Sequence, residues 1–73
     1  MEQVRIELGF DGGQIIGAVV GDATASELEH AIEAGRDDGF ALAAEDGRYT
    51  IRLSKLVYVK RLSRESRLGF GAV

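Results

Sequence analysis

The chain has 73 residues, of which 45% are hydrophobic and 29% are charged, and it contains no cysteine. This length allows one domain, and the lack of cysteine excludes disulfides, thiolate nucleophiles and zinc–thiolate sites. A core this small is only marginally stable by itself, so a partner subunit is the simplest way left to bury more surface.

The net charge of −3 is divided unevenly along the chain. Residues 1–47 contain eleven Asp or Glu and two Lys or Arg, whereas residues 48–73 contain one acid and seven bases. An asymmetry of this kind indicates either an anion-binding surface or two complementary faces of an oligomer.

No segment has the pattern of a membrane span or a secretory leader. The longest apolar stretch, residues 15–20, is far too short to cross a bilayer. Proline is absent, and no linker, repeat or low-complexity segment is visible. We therefore expect one cytoplasmic domain that covers residues 1–73 and makes no membrane contact.

The first predicted elements form a β-hairpin. Apolar residues alternate with polar residues or glycine over 4–10, which predicts a half-buried strand. Asp11-Gly12-Gly13 supplies the positive φ angles of a tight turn, and the return strand at 14–20 is apolar on both faces, as is typical of a central strand. Gly17 within that strand indicates a bulge or a close backbone approach.

A helix follows the hairpin. Thr24-Ala25-Ser26-Glu27 matches a capping box, in which the side chains of Thr24 and Glu27 each bond the other residue's amide. Helical spacing then places an apolar stripe toward the sheet, formed by Leu28, Ala31 and Ile32. Gly35 is expected to end the helix, and Arg36 just beyond it to complement the helix dipole.

Further strands complete the predicted domain. Residues 40–44 alternate in polarity, Glu45-Asp46-Gly47-Arg48 reads as a second hairpin turn, and residues 49–53 alternate again until Ser54-Lys55 breaks the phase. Residues 56–62 predict a strand in which Tyr58 shares a face with Leu56, and residues 68–72 predict a terminal strand with one bare face. The order is ββαβββ(β), an α+β domain with one helix packed on a mainly antiparallel sheet.

Candidate catalytic and metal sites are weak. Glu27-x-x-His30 has the spacing of half a carboxylate di-metal motif, but that chemistry needs further Glu-bearing helices and this chain predicts one helix. Acid pairs fall in turns, where acids are common for backbone reasons, and no serine lies beside a plausible base. We predict a protein with no enzymatic activity, metal or cofactor; an enzyme would require an active site shared between subunits.

A basic segment near the C-terminus gives one candidate binding surface. Five bases fall within thirteen residues, close to Tyr58 and Phe70: Lys55, Lys60, Arg61, Arg64 and Arg67. Such a segment could bind nucleic acid or another phosphate anion, with aromatic side chains to stack on bases. The alternative is a solvated edge strand and loop, because Lys60 and Arg61 point to opposite faces of a strand and edge cations discourage aggregation.

The glycine-bearing C-terminal segment gives the other candidate. Leu68, Gly69, Phe70 and Gly71 alternate apolar residues with glycine, so the bare face of a strand there would let a second backbone approach closely. An acidic helix face meeting a basic hairpin across a symmetry axis would use the uneven charge distribution. We therefore predict a self-associating protein-interaction module, with nucleic-acid or phosphate-anion binding as the alternative.

Several short stretches resemble a small actinobacterial family of uncharacterised proteins of about this length. They are Thr24-Ala25-Ser26-Glu27-Leu28-Glu29, Glu45-Asp46-Gly47-Arg48, Lys55-Leu56-Val57-Tyr58-Val59 and the tail Arg67-Leu68-Gly69-Phe70-Gly71. They are similar, in the same order, to that family's capped helix start, Gly-Arg hairpin turn, Lys-Leu-x-Tyr-Val strand and Arg-Val-Gly-Phe-Gly ending. The resemblance implies a shared fold and no catalytic residues.

Overall fold

Five β-strands, one α-helix and one short 3-10 turn account for most of residues 2–62, the part of the chain that the computed structural model describes. In chain order they are β1 (Gln3–Phe10), β2 (Ile15–Gly21), α1 (Asp22–Glu33), β3 (Gly39–Ala44), β4 (Gly47–Arg52), the 3-10 turn Leu53–Lys55 and β5 (Leu56–Leu62). The predicted ββαβββ order and α+β class are confirmed.

The strands form one sheet in the order β4-β3-β2-β1-β5, and all neighbours are antiparallel. β1 and β2 pair without interruption from Gln3–Gly21 to Gly9–Ile15, and β2 is the central strand, as predicted. The β3–β4 hairpin joins β2 through a single ladder pair, Val20–Ala44. The sheet therefore consists of a well-paired part, β2-β1-β5, and a hairpin attached at one end.

β5 reaches the opposite edge of the sheet from β4 and contains a β-bulge. Gly9 pairs with Tyr58, but the next residue of β1, Phe10, pairs with Leu56, so Val57 is an extra residue on the bulged strand. The prediction that Tyr58 shares a face with Leu56 is therefore wrong. Leu56 packs against the core, whereas Tyr58 faces the other side of the sheet with Gly9.

α1 begins three residues earlier than the capping box at Thr24 indicated. Gly21 is the N-cap, with φ −67° and ψ 149°, and no side chain caps the helix. Because β2 remains paired as far as Gly21, and the Asp22 amide donates to the Glu2 carbonyl at 2.9 Å, the strand runs directly into the helix. Thr24 therefore lies inside the helix, and the predicted capping box is wrong.

The other end of α1 is as predicted. Gly35 has φ +76°, and its amide donates to the Ile32 carbonyl at 3.0 Å, while the Arg36 amide donates to the Ala31 carbonyl at 3.1 Å. These two bonds define a Schellman motif, which needs a residue in the left-handed region after the last helical turn. Within residues 2–62, no helix is long and apolar enough to cross a bilayer.

The core lies between α1 and one face of the sheet. Its buried side chains come from the helix, from the strands β1 to β4 and from the 3-10 turn: Ile6, Leu8, Ala18, Val20, Ala25, Leu28, Ala31, Leu42, Ile51 and Leu53. Leu28 and Ala31 are buried as predicted, and Ile32 packs against the edge of this cluster. Since α1 covers one face, no helix of residues 2–62 packs on the other face of the sheet.

The predicted terminal strand at 68–72 and the interface residues Leu68, Gly69, Phe70 and Gly71 lie outside the described residues. Two members of the basic segment, Arg64 and Arg67, lie outside them as well.

Candidate interaction surface

The face of the sheet opposite α1, which we call the open face, is not covered by any helix or strand of residues 2–62. Strand register places the same side of each strand there: Ile15, Gly17 and Val19 on β2, Arg5, Glu7 and Gly9 on β1, Tyr58, Lys60 and Leu62 on β5, Ala41 and Ala43 on β3, and Arg48, Thr50 and Arg52 on β4. The central strand was predicted to be apolar on both faces, and it is. Ile15 on its open side is nevertheless 60% exposed.

Tyr58 lies across the open face because Gly9 has no side chain. A Cβ placed on Gly9 would lie 2.0 Å from Cε2 of Tyr58, well inside van der Waals contact. The Tyr58 hydroxyl donates to Oε2 of Glu7 at 2.6 Å, and this bond raises the pKa of the tyrosine. The ring and its hydroxyl are thus fixed by two residues of the neighbouring strand.

Sequence reasoning chose the wrong glycine for this close approach. Gly17 was predicted to mark a bulge or a tight contact, but β1 and β2 pair in continuous register around it. The nearest atom to a Cβ at Gly17 would be the Ile6 carbonyl oxygen at 4.0 Å, an ordinary contact distance. Gly9 gave no signal of its own, because its role depends on a residue about fifty positions away that only the fold brings to it.

Arg61 takes the opposite direction and binds α1. Its guanidinium contacts Asp22 at 2.6 Å, Glu29 at 2.8 and 3.2 Å, and the Ser26 hydroxyl at 3.0 Å. The hydrogen bonds to Glu29 and then Asp22 raise the pKa of Arg61, so this side chain stays charged. Arg61 fastens the flank of the helix to the edge strand β5.

The described part of the basic segment therefore does not form one surface. Arg61 lies on the helix side, whereas Lys60 lies on the open face opposite Glu7, in agreement with the prediction that these neighbours point to opposite faces. Lys55 is in the 3-10 turn, where its carbonyl accepts from the Asp11 amide at 2.7 Å.

Arg36 fixes the loop between α1 and β3 rather than complementing the helix dipole alone. It donates to both carboxylate oxygens of Asp38 at 2.9 and 3.0 Å, and to the Gly39 carbonyl at 3.3 Å. Hydrogen bonding to Arg36 lowers the pKa of Asp38. Because the guanidinium also lies 6.0 Å from the centre of the Phe40 ring, the entry to β3 is held by one arginine.

A shallow depression of about 220 Å³ lies on the open face, where the β1–β2 hairpin meets the β3–β4 hairpin. Arg5, Gly17 and Val19 line it, together with Glu45 and Asp46 of the β3–β4 turn. The Tyr49 hydroxyl donates to Asp46 at 2.8 Å, which raises the pKa of Tyr49 and holds this turn. The depression is open to solvent and brings opposite charges to its rim.

The candidate metal pair does not gather further ligands. His30 and Glu27 are both exposed on α1. Among residues 2–62, no group of three or more His, Cys, Asp or Glu lies close enough together to hold a metal ion. Several acids of this region are instead bound to neighbours: Glu7 to Tyr58, Asp38 to Arg36, and Asp46 to Tyr49.

Comparison of the chain with protein-family models, with curated proteins and with solved structures finds no match. The geometry of the site is therefore the basis on which function is argued.

Proposed function

We propose that this domain is a non-enzymatic, cytoplasmic protein-interaction module that associates with a second copy of itself through the open face. The observation that carries the proposal is the apolar side of the central strand β2. Ile15 is 60% exposed, Gly17 is exposed and Val19 is half-buried, and no helix or strand of residues 2–62 packs over them. An uncovered apolar sheet face commonly marks a protein contact.

The architecture favours the same conclusion. Domains are built from at least two packed layers, and among residues 2–62 one helix of twelve residues supplies the second layer on one face of a five-stranded sheet. Burying the open face against a second copy would add apolar contact that one small core cannot provide. Both edge strands, β4 and β5, have one partner strand each among the described residues, and this leaves backbone groups for further pairing.

The test compares two exposed β-branched residues that differ in where they lie. Ile15 is on the open face, and Val57, at 65% exposure, is in the bulge of the edge strand β5. Sedimentation velocity over a concentration series gives the dissociation constant of the wild type, of Ile15→Gln and of Val57→Gln. We expect Ile15→Gln to weaken association by at least about tenfold, and Val57→Gln to change it little.

Two results would contradict the proposal. A wild type that stays monomeric up to about 1 mM, a concentration that corresponds to about 4 kcal/mol of binding free energy, has no self-association to explain. The reverse order of effects, with Val57→Gln the damaging change, would place the contact on the β5 edge instead of the open face.

A further inference from the structure

Unpaired charges of opposite sign lie on the two sides of the sheet. Four cations face the open side: Arg5, Arg48, Arg52 and Lys60. None of them has a carboxylate of a described residue within 4.0 Å. The described acids on this side are Glu7, which lies opposite Lys60 and accepts a hydrogen bond from Tyr58, and Glu45 and Asp46 of the β3–β4 turn, which line the depression beside Arg5.

On the side of the sheet that α1 covers, the described charges without an ion pair include acids of the helix. Arg61 on this side is bound to Asp22 and Glu29, and the nearby loop arginine, Arg36, is bound to Asp38. Glu27 and Glu33 are exposed along α1, and neither has an arginine or lysine of a described residue within 4.0 Å. Within residues 2–62, Arg61 and Arg36 are thus neutralised by acids of this side, and Glu27 and Glu33 remain in excess.

We propose that self-association is head-to-tail: the open face of one copy docks on the exposed side of α1 of the next copy, where Glu27 and Glu33 lie. This inference rests on the proposed function and adds which two surfaces meet. Complementary potentials favour that arrangement, because four cations without an ion pair among the described residues meet Glu27 and Glu33, which no cation in 2–62 neutralises. The apolar residues of β2 lie between the cations, so the docked face gains burial as well as charge pairing.

The alternative arrangement, two open faces packed against each other about a twofold axis, opposes like charges. A twofold interface brings the same patch of both copies together, so the four cations of each copy would face those of the other. Like charges placed opposite one another are destabilising, and the three acids of each copy, Glu7, Glu45 and Asp46, offset only part of the repulsion among its four cations. A head-to-tail contact uses two different patches and therefore continues beyond a dimer unless the rotation closes a ring.

Two double variants test the pairing of surfaces. The open-face variant is Arg52→Glu with Lys60→Glu, and the helix variant is Glu27→Lys with Glu33→Lys; all four positions are exposed. Circular dichroism and thermal melts first establish that both are folded. Sedimentation velocity then measures each variant alone, the two mixed at equal concentration, and the wild type at about 0.05 M and about 0.5 M salt.

We expect each double variant alone to associate at least about tenfold more weakly than the wild type, and the mixture to recover association. Recovery follows because the acidic helix of the open-face variant can dock on the basic face of the helix variant. The wild type should weaken by about tenfold or more at the higher salt, where the screening length falls to a few ångströms.

The outcomes separate this inference from the proposed function. If the wild type associates and the helix variant associates as strongly, the acidic helix is not in the contact, and the head-to-tail arrangement is wrong while self-association stands. If the wild type stays monomeric, both are wrong. If the monomeric wild type binds a single-stranded oligonucleotide and the open-face variant does not, the positive face serves a nucleic acid, which also overturns the inference.

Discussion

The ring of Tyr58 lies on the sheet where Gly9 leaves room for it, and this pair sets the shape of the open face. Glycine in a strand normally costs stability, because it loses more conformational freedom than other residues and packs nothing. Here the aromatic ring covers the bare backbone of the neighbouring strand, and the Glu7 carboxylate holds the ring by its hydroxyl.

The first prediction compares two glycines on the same face. Gly9→Ala forces the Tyr58 ring to move, because the added Cβ would lie 2.0 Å from it, and we expect a loss of about 1–3 kcal/mol in the free energy of unfolding. Gly17→Ala is the control, since its Cβ meets nothing closer than 4.0 Å and alanine restricts the unfolded chain more than glycine does. Urea denaturation measures both, and equal effects of the two changes would show that the Tyr58 contact has no energetic weight.

The second prediction concerns Arg61, which binds three side chains of α1. Arg61→Met keeps much of the aliphatic length and removes the charge. We expect the free energy of unfolding to fall by about 1–2 kcal/mol. This is at the lower end of the range for hydrogen bonds to charged groups, because the Arg61 side chain is 33% exposed and solvent screens it in part.

Lys60→Met is the matched control for Arg61, because Lys60 is the next residue on β5 and has no ion pair with a described residue. We expect its effect to stay within about 0.5 kcal/mol. Chemical denaturation of both variants at the same salt concentration decides the matter. Arg61 would have no anchoring role if the two variants unfolded at the same midpoint.

At the scale of the elements, the helix starts where β2 ends, and no loop separates them. This continuity replaces a side-chain cap. The Asp22 amide is satisfied by the Glu2 carbonyl, and the Asp22 carboxylate lies in the first turn, where negative charge complements the helix dipole. The Asp22 carboxylate also binds Arg61, so this ion pair joins the start of the helix to the edge strand β5.

The third prediction follows from this helix start. Thr24→Ala should change the free energy of unfolding by no more than about 0.5 kcal/mol, because Thr24 lies inside the helix, where alanine has the higher propensity. Loss of a true N-cap threonine would cost about 1 kcal/mol. Gly21→Ser, which supplies a capping hydroxyl at the observed N-cap, should add about 0.3 kcal/mol. A loss near 1 kcal/mol for Thr24→Ala in thermal or urea unfolding would restore the capping box.

At the scale of the whole molecule, the sheet has a weak connection between its two parts. β2 and β3 share the single ladder pair Val20–Ala44, with one further bond from the Glu45 amide to the Val19 carbonyl at 2.8 Å. Buried Leu42 and Ile51 hold the β3–β4 hairpin to the core by packing. Backbone pairing adds little there, so we expect this hairpin to open more readily than β1, β2 and β5.

The fourth prediction is a graded pattern of amide exchange. Amides in the inner hydrogen-bonded pairs of β1 and β2, such as Ile6 and Ala18, should exchange at least about tenfold more slowly than amides in the hydrogen-bonded pairs of β3 and β4, such as Leu42 and Tyr49. Native-state hydrogen exchange followed by NMR measures this directly. Equal protection across all five strands would mean that the domain opens as one cooperative unit.

Much of the fold could be predicted because its signals are local. The alternation at 4–10, the Asp-Gly turns, the stripe Leu28, Ala31, Ile32 and the terminal Gly35 each depend on residues close in sequence, and all appear in the structure. The errors lie where a distant residue decides. The bulge at Val57 is set by pairing with β1, and the early helix start is set by the pairing of Gly21 with Gln3.

The sequence by itself determined the order of elements and an imbalance of charge between two lengths of chain. The tertiary structure decided where those charges lie, because neighbouring residues of a strand point to opposite faces. Arg61 points toward α1 and forms ion pairs with acids of the helix. Lys60 lies on the open face, together with Arg5, which comes from the acidic part of the sequence. The side of the sheet on which each charged residue lies is therefore set by strand register, which the sequence alone does not give.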